Sequence, residues 1–301
     1  MKKFTACIFA ITCFCCNAAF GWYPSHPDES LLPQTGYSTV IGSHQIYPVR
    51  PGDTLIELAR QGGLGYLALT KANPDIDPWL PPVGASILFP YAFLLPAGIQ
   101  QGITVNLAEL RLYYVWQELG RLRVRVYPVG IGRSGWGTPE GSFKVIEKIV
   151  HPAWHPPASI RLENPQLPTS IPPGPDNPLG EYWLGISAPG YGIHGTNKPY
   201  GVGRRISHGC MRLYPWDIRD LFARVKIGTA VRILRQPVKV GIKDGKLLIE
   251  VHRPVDANDQ DVMSEALQQI ASLRWKNQLD METLEKEIHL GKGVPTVISL
   301  E

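Results

Sequence analysis

Hydrophobic and polar positions divide the chain into stretches of different period. Behind Lys2 and Lys3, Ala6 to Cys16 is an almost unbroken apolar run of 11 residues, the length of a signal-peptide core and too short to cross a bilayer comfortably. Residues 22–46, rich in Pro, Ser and Gly, read as a linker or edge segment. Tyr47-Pro48-Val49-Arg50 is a short strand and Pro51-Gly52-Asp53 a turn. Thr54 caps a helix to Gln61, with Leu55, Leu58 and Ala59 on one side. A second helix, Gly65 to Ala72, stops at Asn73-Pro74, and Pro82-Val83-Gly84 turns into the strand Ala85 to Phe89.

From residue 96 the period becomes two. Thr104 to Asn106, Glu109 to Trp116 and Leu122 to Val129 are strands, and Arg121, Arg123 and Arg125 alternate with Leu122, Val124 and Val126 as a solvated face. Gly130-Ile131-Gly132 leads to a Thr138-Pro139-Glu140-Gly141 turn and the strand Phe143 to Val150. Nine prolines fall among residues 151–178, which makes this long loop stiff and points to an ordered lid. After residue 236, Val238 to Ile242 and Lys246 to Val251 flank the hairpin turn Asp244-Gly245. Two amphipathic helices follow, with Met263, Leu267 and Ile270 and then Met281, Leu284 and Ile288 at three-to-four spacing, and Gly291 ends the second.

Composition narrows the function class. Of 301 residues, 44% are hydrophobic and 19% charged, so the chain buries a sizeable core. A formal charge of +4 is far from the basic excess of nucleic-acid binders, and no nucleic-acid partner is expected. The 30 Gly and 28 Pro favour short strands and long loops. No later segment is apolar over the length of a membrane helix, so no membrane span is expected. The opening 21 residues read as a signal peptide, with cleavage at Ala19-Phe20-Gly21 or, alternatively, Cys16-Asn17-Ala18. A lipid-modified Cys15 or Cys16 is a further alternative, against which Thr12-Cys13-Phe14 matches a lipobox poorly. Four of the five cysteines lie in this leader, so the mature chain keeps only Cys210.

The chemistry concentrates between Tyr191 and Arg212. Tyr191-Gly192-Ile193-His194-Gly195-Thr196-Asn197 is followed by Ser207-His208-Gly209-Cys210-Met211-Arg212. A thiol is a poor nucleophile until a base or positive field assists it, and His194 or His208 supplies one. If the stretch is extended, His208 and Cys210 point the same way while His194 approaches from a neighbouring strand. Gly195 and Gly209 allow close backbone approach, and N–H groups near Gly209 and Cys210 suit a tetrahedral oxyanion. The pattern fits a cysteine acyltransferase or peptidase, or alternatively a buried cysteine beside two structural histidines. His151 and His155 are four apart, but the neighbouring prolines deny them a shared helix face, so no metal site is expected.

Two resemblances add to this reading. Residues 47–90 resemble a LysM module through Tyr47-x-Val49-x-x-Gly52-Asp53-Thr54-Leu55, Ala72-Asn73-Pro74, and Pro82 and Gly84 before Ile87. LysM modules bind glycans containing N-acetylglucosamine, which implies docking on peptidoglycan. The His-Gly and Ser-His-Gly-Cys-Met-Arg elements closely resemble the signature of L,D-transpeptidases with the YkuD fold. The likeness extends through Tyr127 to Phe143 and Gly174 to Gly180, and the architecture is similar to the Gram-negative periplasmic subgroup that includes the enzymes anchoring Braun lipoprotein.

The implied fold is mainly β: a YkuD-type β-sandwich catalytic domain (96–235) with a small β-α-α-β LysM-like domain (47–90) and a C-terminal α+β subdomain (236–301). The resemblance implies Cys210 as nucleophile and His194 as general base, oriented by the Gly195 carbonyl. It further implies that Ser207, His208 and Gly209 shape the site and that Arg212, with Tyr191 and Asn197, binds substrate. The implied reaction cleaves the diaminopimelate–D-Ala bond of a peptidoglycan tetrapeptide through a thioester, which an amine resolves, from a Braun-type lipoprotein or another diaminopimelate. Such chemistry needs no cofactor. A hydrolase on the same scaffold and a non-catalytic peptidoglycan-binding protein are the alternatives.

Overall fold

The computed structural model describes residues 40–253 and 258–300. The expected leader, with its cleavage and lipidation alternatives, and residues 22–39 of the expected linker or edge segment lie outside the described residues.

The first unit comprises β1 (Val40–Ile41), β2 (Gln45–Pro48), α1 (Leu55–Gln61), α2 (Tyr66–Ala72), β3 (Ser86–Phe89) and β4 (Phe93–Leu94). Thr54 Oγ1 accepts from the Glu57 N–H at 3.4 Å, and the buried side of α1 is Leu55, Leu58 and Ala59. Asn73 stops α2 and stays buried because its side chain is fully used. It donates to Leu69 O and Leu88 O at 2.8 and 2.9 Å and accepts from Leu88 N at 2.8 Å, tying the helix end to β3. Within the expected linker or edge segment, β1 pairs Val40 with Leu94, Ile41 is buried, and β2 begins at Gln45.

The central unit runs β5 (Gly102–Asn106), β6 (Arg111–Glu118), β7 (Arg121–Pro128), β8 (Ile131–Gly132), β9 (Gly141–Val150), α3 (Ala158–Glu163), β10 (Tyr182–Ile186), β11 (Gly192–His194), β12 (Arg205–Ser207), β13 (Met211–Arg212), α4 (Pro215–Arg224) and β14 (Ala230–Leu234). Eight strands form one sheet in the order β13-β11-β10-β9-β14-β5-β6-β7. β9 makes it curl: its first half pairs with β14 and its second half with β10. Gly130, just past β7, exchanges two 2.8 Å hydrogen bonds with Arg212 of β13, so the outer strands meet at one corner. The concave side is filled by Val105, Leu112, Leu184, Ile193, Met211 and the α4 residues Ile218 and Leu221. Strand β6 begins at Arg111 rather than Glu109, because Leu110 takes a φ of 59° and turns the chain first. The arginine face of β7 is not simply solvated either, since Arg125 holds Asp220 of α4 through two contacts of 2.8 and 2.9 Å.

The last unit is a hairpin, β15 (Val238–Lys243) and β16 (Lys246–Val251), joined by β17 (Thr296–Val297) and covered by α5 (Asp259–Ser272) and α6 (Met281–Leu290). Asp244 and Gly245 have φ of 52° and 74°, the pair of left-handed residues a tight hairpin of this twist requires. The buried stripe of α5 is Val262, Ala266 and Ile270, whereas Leu267 faces solvent; α6 buries Leu284 and Ile288 but exposes Met281.

The units are fastened to one another. Lys239 Nζ contacts Glu109 Oε2 and Leu94 O, both at 2.6 Å, and Arg111 bridges Glu109 and Glu250 at 2.9 and 2.7 Å. All four charged side chains are buried. On the other side, Gly65 opens α2 against Gly203, where an added Cβ on Gly203 would lie 2.2 Å from the Gly65 Cα. Tyr214 Oη donates to Leu64 O at 3.0 Å and Tyr200 Oη to Glu57 at 3.0 Å. The first unit thus sits on the loop that separates His194 from Cys210.

Candidate active site

Two parallel strand ends carry the motif. β11 and β13 pair Ile193 with Met211 and His194 with Arg212, so Gly192 lies beside Cys210. Neighbours in register share a face and faces alternate along a strand. Cys210, His194 and Arg212 therefore share one face, while Ile193 and Met211 turn into the core. The same face continues through Trp183, paired with both His194 and Ile149, to Glu147. The lid, 151–178, stands over it and encloses a cavity of about 750 Å3 lined by Cys210, His194, Arg212, Trp183, Glu147 and, from the lid, Trp154. The lid is ordered by α3, by the Trp154–Ile171 bridge, and by buried Asn177, which donates to Pro152 O at 2.8 Å.

Backbone turns set the thiol. The Ser207–Cys210 stretch is not extended, because Gly209 has a φ of 106°, a conformation that favours glycine. An added Cβ there would lie 2.6 Å from the Tyr191 ring. Ser207 Oγ donates to Cys210 O at 2.6 Å and accepts from Gly209 N at 3.1 Å, which closes the turn and occupies one N–H expected for an oxyanion. Thr138 Oγ1 donates to Gly209 O at 2.7 Å and accepts from Gly132 N at 3.1 Å. The Thr-Pro-x-Gly element thereby supports the cysteine turn from outside.

The histidines part company. His194 Nδ1 lies 2.6 Å from Gly195 O; a carbonyl only accepts, so Nδ1 carries the proton and Nε2 keeps its lone pair. His208 turns away along the lid: its Nε2 lies 3.0 Å from Glu163 Oε2 and 3.1 Å from Arg133 Nη2, and its ring meets Trp136 edge-on. Of the expected substrate-binding residues, Arg212 and Asn197 line the cavity, and Asn197 also donates to Pro175 O at 3.2 Å. Tyr191 lies under Gly209, against the core.

A family model described as an L,D-transpeptidase catalytic domain (YkuD) matches residues 100–233. The chain is 37% identical over 289 residues to the Escherichia coli protein named "Probable L,D-transpeptidase YcfS", covering 90% of this chain and 88% of that one. It is 35% identical to the E. coli protein named "Probable L,D-transpeptidase YbiS", over 98% of this chain and 97% of that one. The chain belongs to the L,D-transpeptidase family.

In this transpeptidase the surroundings of the thiol and of the imidazole favour their uncharged forms. Burial pushes the Cys210 thiol up, against the opposing pull of the Gly192 backbone N–H and Arg212. Burial, reinforced by Arg212, lowers His194 to about 3, although the Gly195 and Leu179 carbonyls favour its protonated form. Arg212 is half-buried, and its buried Nε makes no hydrogen bond among the described residues. The arrangement suits proton transfer from sulfur to imidazole during attack better than a standing ion pair.

Some residues of the transpeptidase site were not visible in the motif. Trp183 stacks on His194 with centroids 5.7 Å apart at 25°, and its Nε1–H donates to Glu147 Oε2 at 3.0 Å. Glu163, Arg133 and Trp136 gather on His208 from 45, 75 and 72 residues away in sequence. Only strand register and the path of the lid bring them in.

Proposed function

We propose that Cys210 is the nucleophile and His194 the general base of an L,D-transpeptidase acting on peptidoglycan tetrapeptide stems. The Sγ–H proton passes to His194 Nε2 as sulfur attacks the carbonyl carbon of the diaminopimelate–D-Ala bond. The C–N bond then breaks, the leaving D-Ala amine takes that proton, and a thioester remains on Cys210. Arg212, a guanidinium with an unused buried N–H, binds a donor carboxylate. A primary amine, from a lipoprotein lysine or a second diaminopimelate, attacks the thioester and completes the transfer. What carries the reading is the placement of Cys210 and His194 on one face beneath the lid, with Nδ1 committed to Gly195 O so that Nε2 is the basic nitrogen. The first unit is LysM-like and docks the enzyme on glycan, and the leader exports it to the periplasm.

The test is intact-mass spectrometry of the mature protein and Cys210→Ala after incubation with a disaccharide-tetrapeptide and then an amine. The expected result is an adduct of the stem minus D-Ala on wild type alone, passed on to the amine. Release of hydrolysed tripeptide despite the amine would make the protein a hydrolase, and no adduct on wild type would overturn the assignment of Cys210.

A further inference from the structure

Glu147 is a carboxylate on the active-site face that pairs with no cation among the described residues; its one side-chain partner there is Trp183. On β9 it stands opposite Gly185, Gly185 stands opposite Gly192, and Gly192 lies beside Cys210. Glu147 and Cys210 thus lie in one row across four strands, about 14 Å apart at the usual strand spacing. The two residues between them have no side chains. The Trp183 indole occupies that space: an added Cβ would lie 2.5 Å from its Cη2 at Gly192 and 3.0 Å from its Nε1 at Gly185. One end of the indole holds Glu147 and its ring stacks on His194. A carboxylate, an aromatic surface and a basic imidazole therefore follow one another towards the thiol along the floor of one cavity.

The other charged groups of the cavity are placed differently. Glu163 is committed to Arg133 and His208. Arg212 is in register with His194, two residues along from the row of Glu147, Gly185, Gly192 and Cys210, and Lys198 and Asp176 also line the cavity. Arg212 thus stands two residues past the thiol on β13, and Glu147, an acid with no cationic partner among the described residues, stands three strands away on β9.

We propose that Glu147 and Trp183 form the entrance subsite for the ammonium group of the acyl acceptor. This rests on the thioester reading given above and assigns the acceptor's side of the cavity. The carboxylate collects a lysine-like ammonium, and the indole passes it towards Cys210 by its aromatic surface, which attracts cations. A donor carboxylate is repelled there and drawn to Arg212, so the two substrates are sorted to opposite ends. On arrival the ammonium gives one proton to solvent and the amine attacks the thioester carbon. The C–N bond forms, a second proton passes to His194, the C–S bond breaks, and His194 returns that proton to sulfur. Thioester and ammonium become amide, thiol and one released proton.

The experiment uses the mature protein with disaccharide-tetrapeptide donor and two competing nucleophiles, Nα-acetyl-lysine amide, which is cationic at neutral pH, and hydroxylamine, which is not. In Glu147→Gln the half-saturating concentration of the lysine compound should rise about three- to tenfold while that of hydroxylamine stays within about twofold. Trp183→Phe, which keeps an aromatic surface and loses the indole N–H, should give a smaller rise of the same kind, and Glu147→Asp should recover most lysine use. In wild type alone, added salt should weaken use of the lysine compound and not of hydroxylamine. Equal changes for both nucleophiles, or none, would overturn the assignment of Glu147 and Trp183 while leaving the thioester intact. A wild type that forms no adduct overturns the thioester reading and this proposal with it.

Discussion

Glu163 Oε2, at the end of the lid helix, lies 3.0 Å from Nε2 of His208, two residues ahead of Cys210. Arg133 joins them, with Nη2 2.7 Å from both Glu163 oxygens and 3.1 Å from His208. The lid helix buries none of its own residues, so this polar contact, rather than core packing, fastens its tip beside the thiol. Removing it in Glu163→Ala should loosen the lid with little cost to the fold, since exposed ion pairs contribute little to global stability. Hydrogen exchange should accelerate across 155–164 and the donor KM rise about threefold, with Tm within about 1 °C of wild type. Unchanged exchange in that segment would show that the lid is held by something else.

Because burial raises Cys210 and lowers His194, the free enzyme should be slow to alkylate at neutral pH. The iodoacetamide rate should climb only above the ordinary thiol range of about 8.5. Arg212 favours the thiolate and disfavours the imidazolium, so Arg212→Gln should move both titrations upward. A wild-type midpoint below neutrality, the mark of a resting thiolate–imidazolium pair, would contradict this.

Asp217 on α4 is buried, its Oδ2 has no hydrogen-bond partner, and burial with the neighbouring Asp220 carboxylate pushes its acid well above the ordinary value. The folded state therefore holds this proton more tightly than the unfolded chain, and stability falls as pH rises above the unfolded value of about 4. Asp217→Asn removes that titration. It should raise stability by about 1 kcal/mol at pH 7.5 and give no gain at pH 4, read as Tm against pH. A gain independent of pH would mean that Asp217 is ionised in the fold.

Lys239 sits with Arg111 between the buried carboxylates Glu109 and Glu250. Lys239→Met leaves two carboxylates to one guanidinium in a dry site, which should cost about 3–5 kcal/mol in urea unfolding. Adding Glu250→Gln restores the charge balance and should recover part of the loss. A single substitution within 1 kcal/mol of wild type, an ordinary surface effect, would show that the site is wetter than its burial indicates.

Local order was largely legible in the sequence. The cap at Thr54, the stop at Asn73, the Asp244-Gly245 hairpin and the end at Gly291 each depend on one residue's own hydrogen bonds or backbone freedom, and each stands where the pattern placed it. The spacing also grouped His194 and His208 with Cys210; adjacent parallel strands set His194 on the face it shares with Cys210, whereas His208 turns to Glu163. The errors came where a side chain's surroundings decide its state. Arg125 is paired because α4 presents Asp220 to it, and Leu267 is exposed because the hairpin under α5 meets Val262 and Ala266 instead.

By itself the sequence determined the order of elements and the residue types able to do acyl-transfer chemistry, since capping, turns and hydrophobic period act over a few residues. Spacing alone left both His194 and His208 open beside the thiol. Tertiary structure set them apart, His194 on the face it shares with Cys210 and His208 against Glu163, and made Trp183, Glu147, Glu163 and Arg133 neighbours of the motif. Cross-strand register and the lid's return join residues distant along the chain, and no local pattern records such a contact.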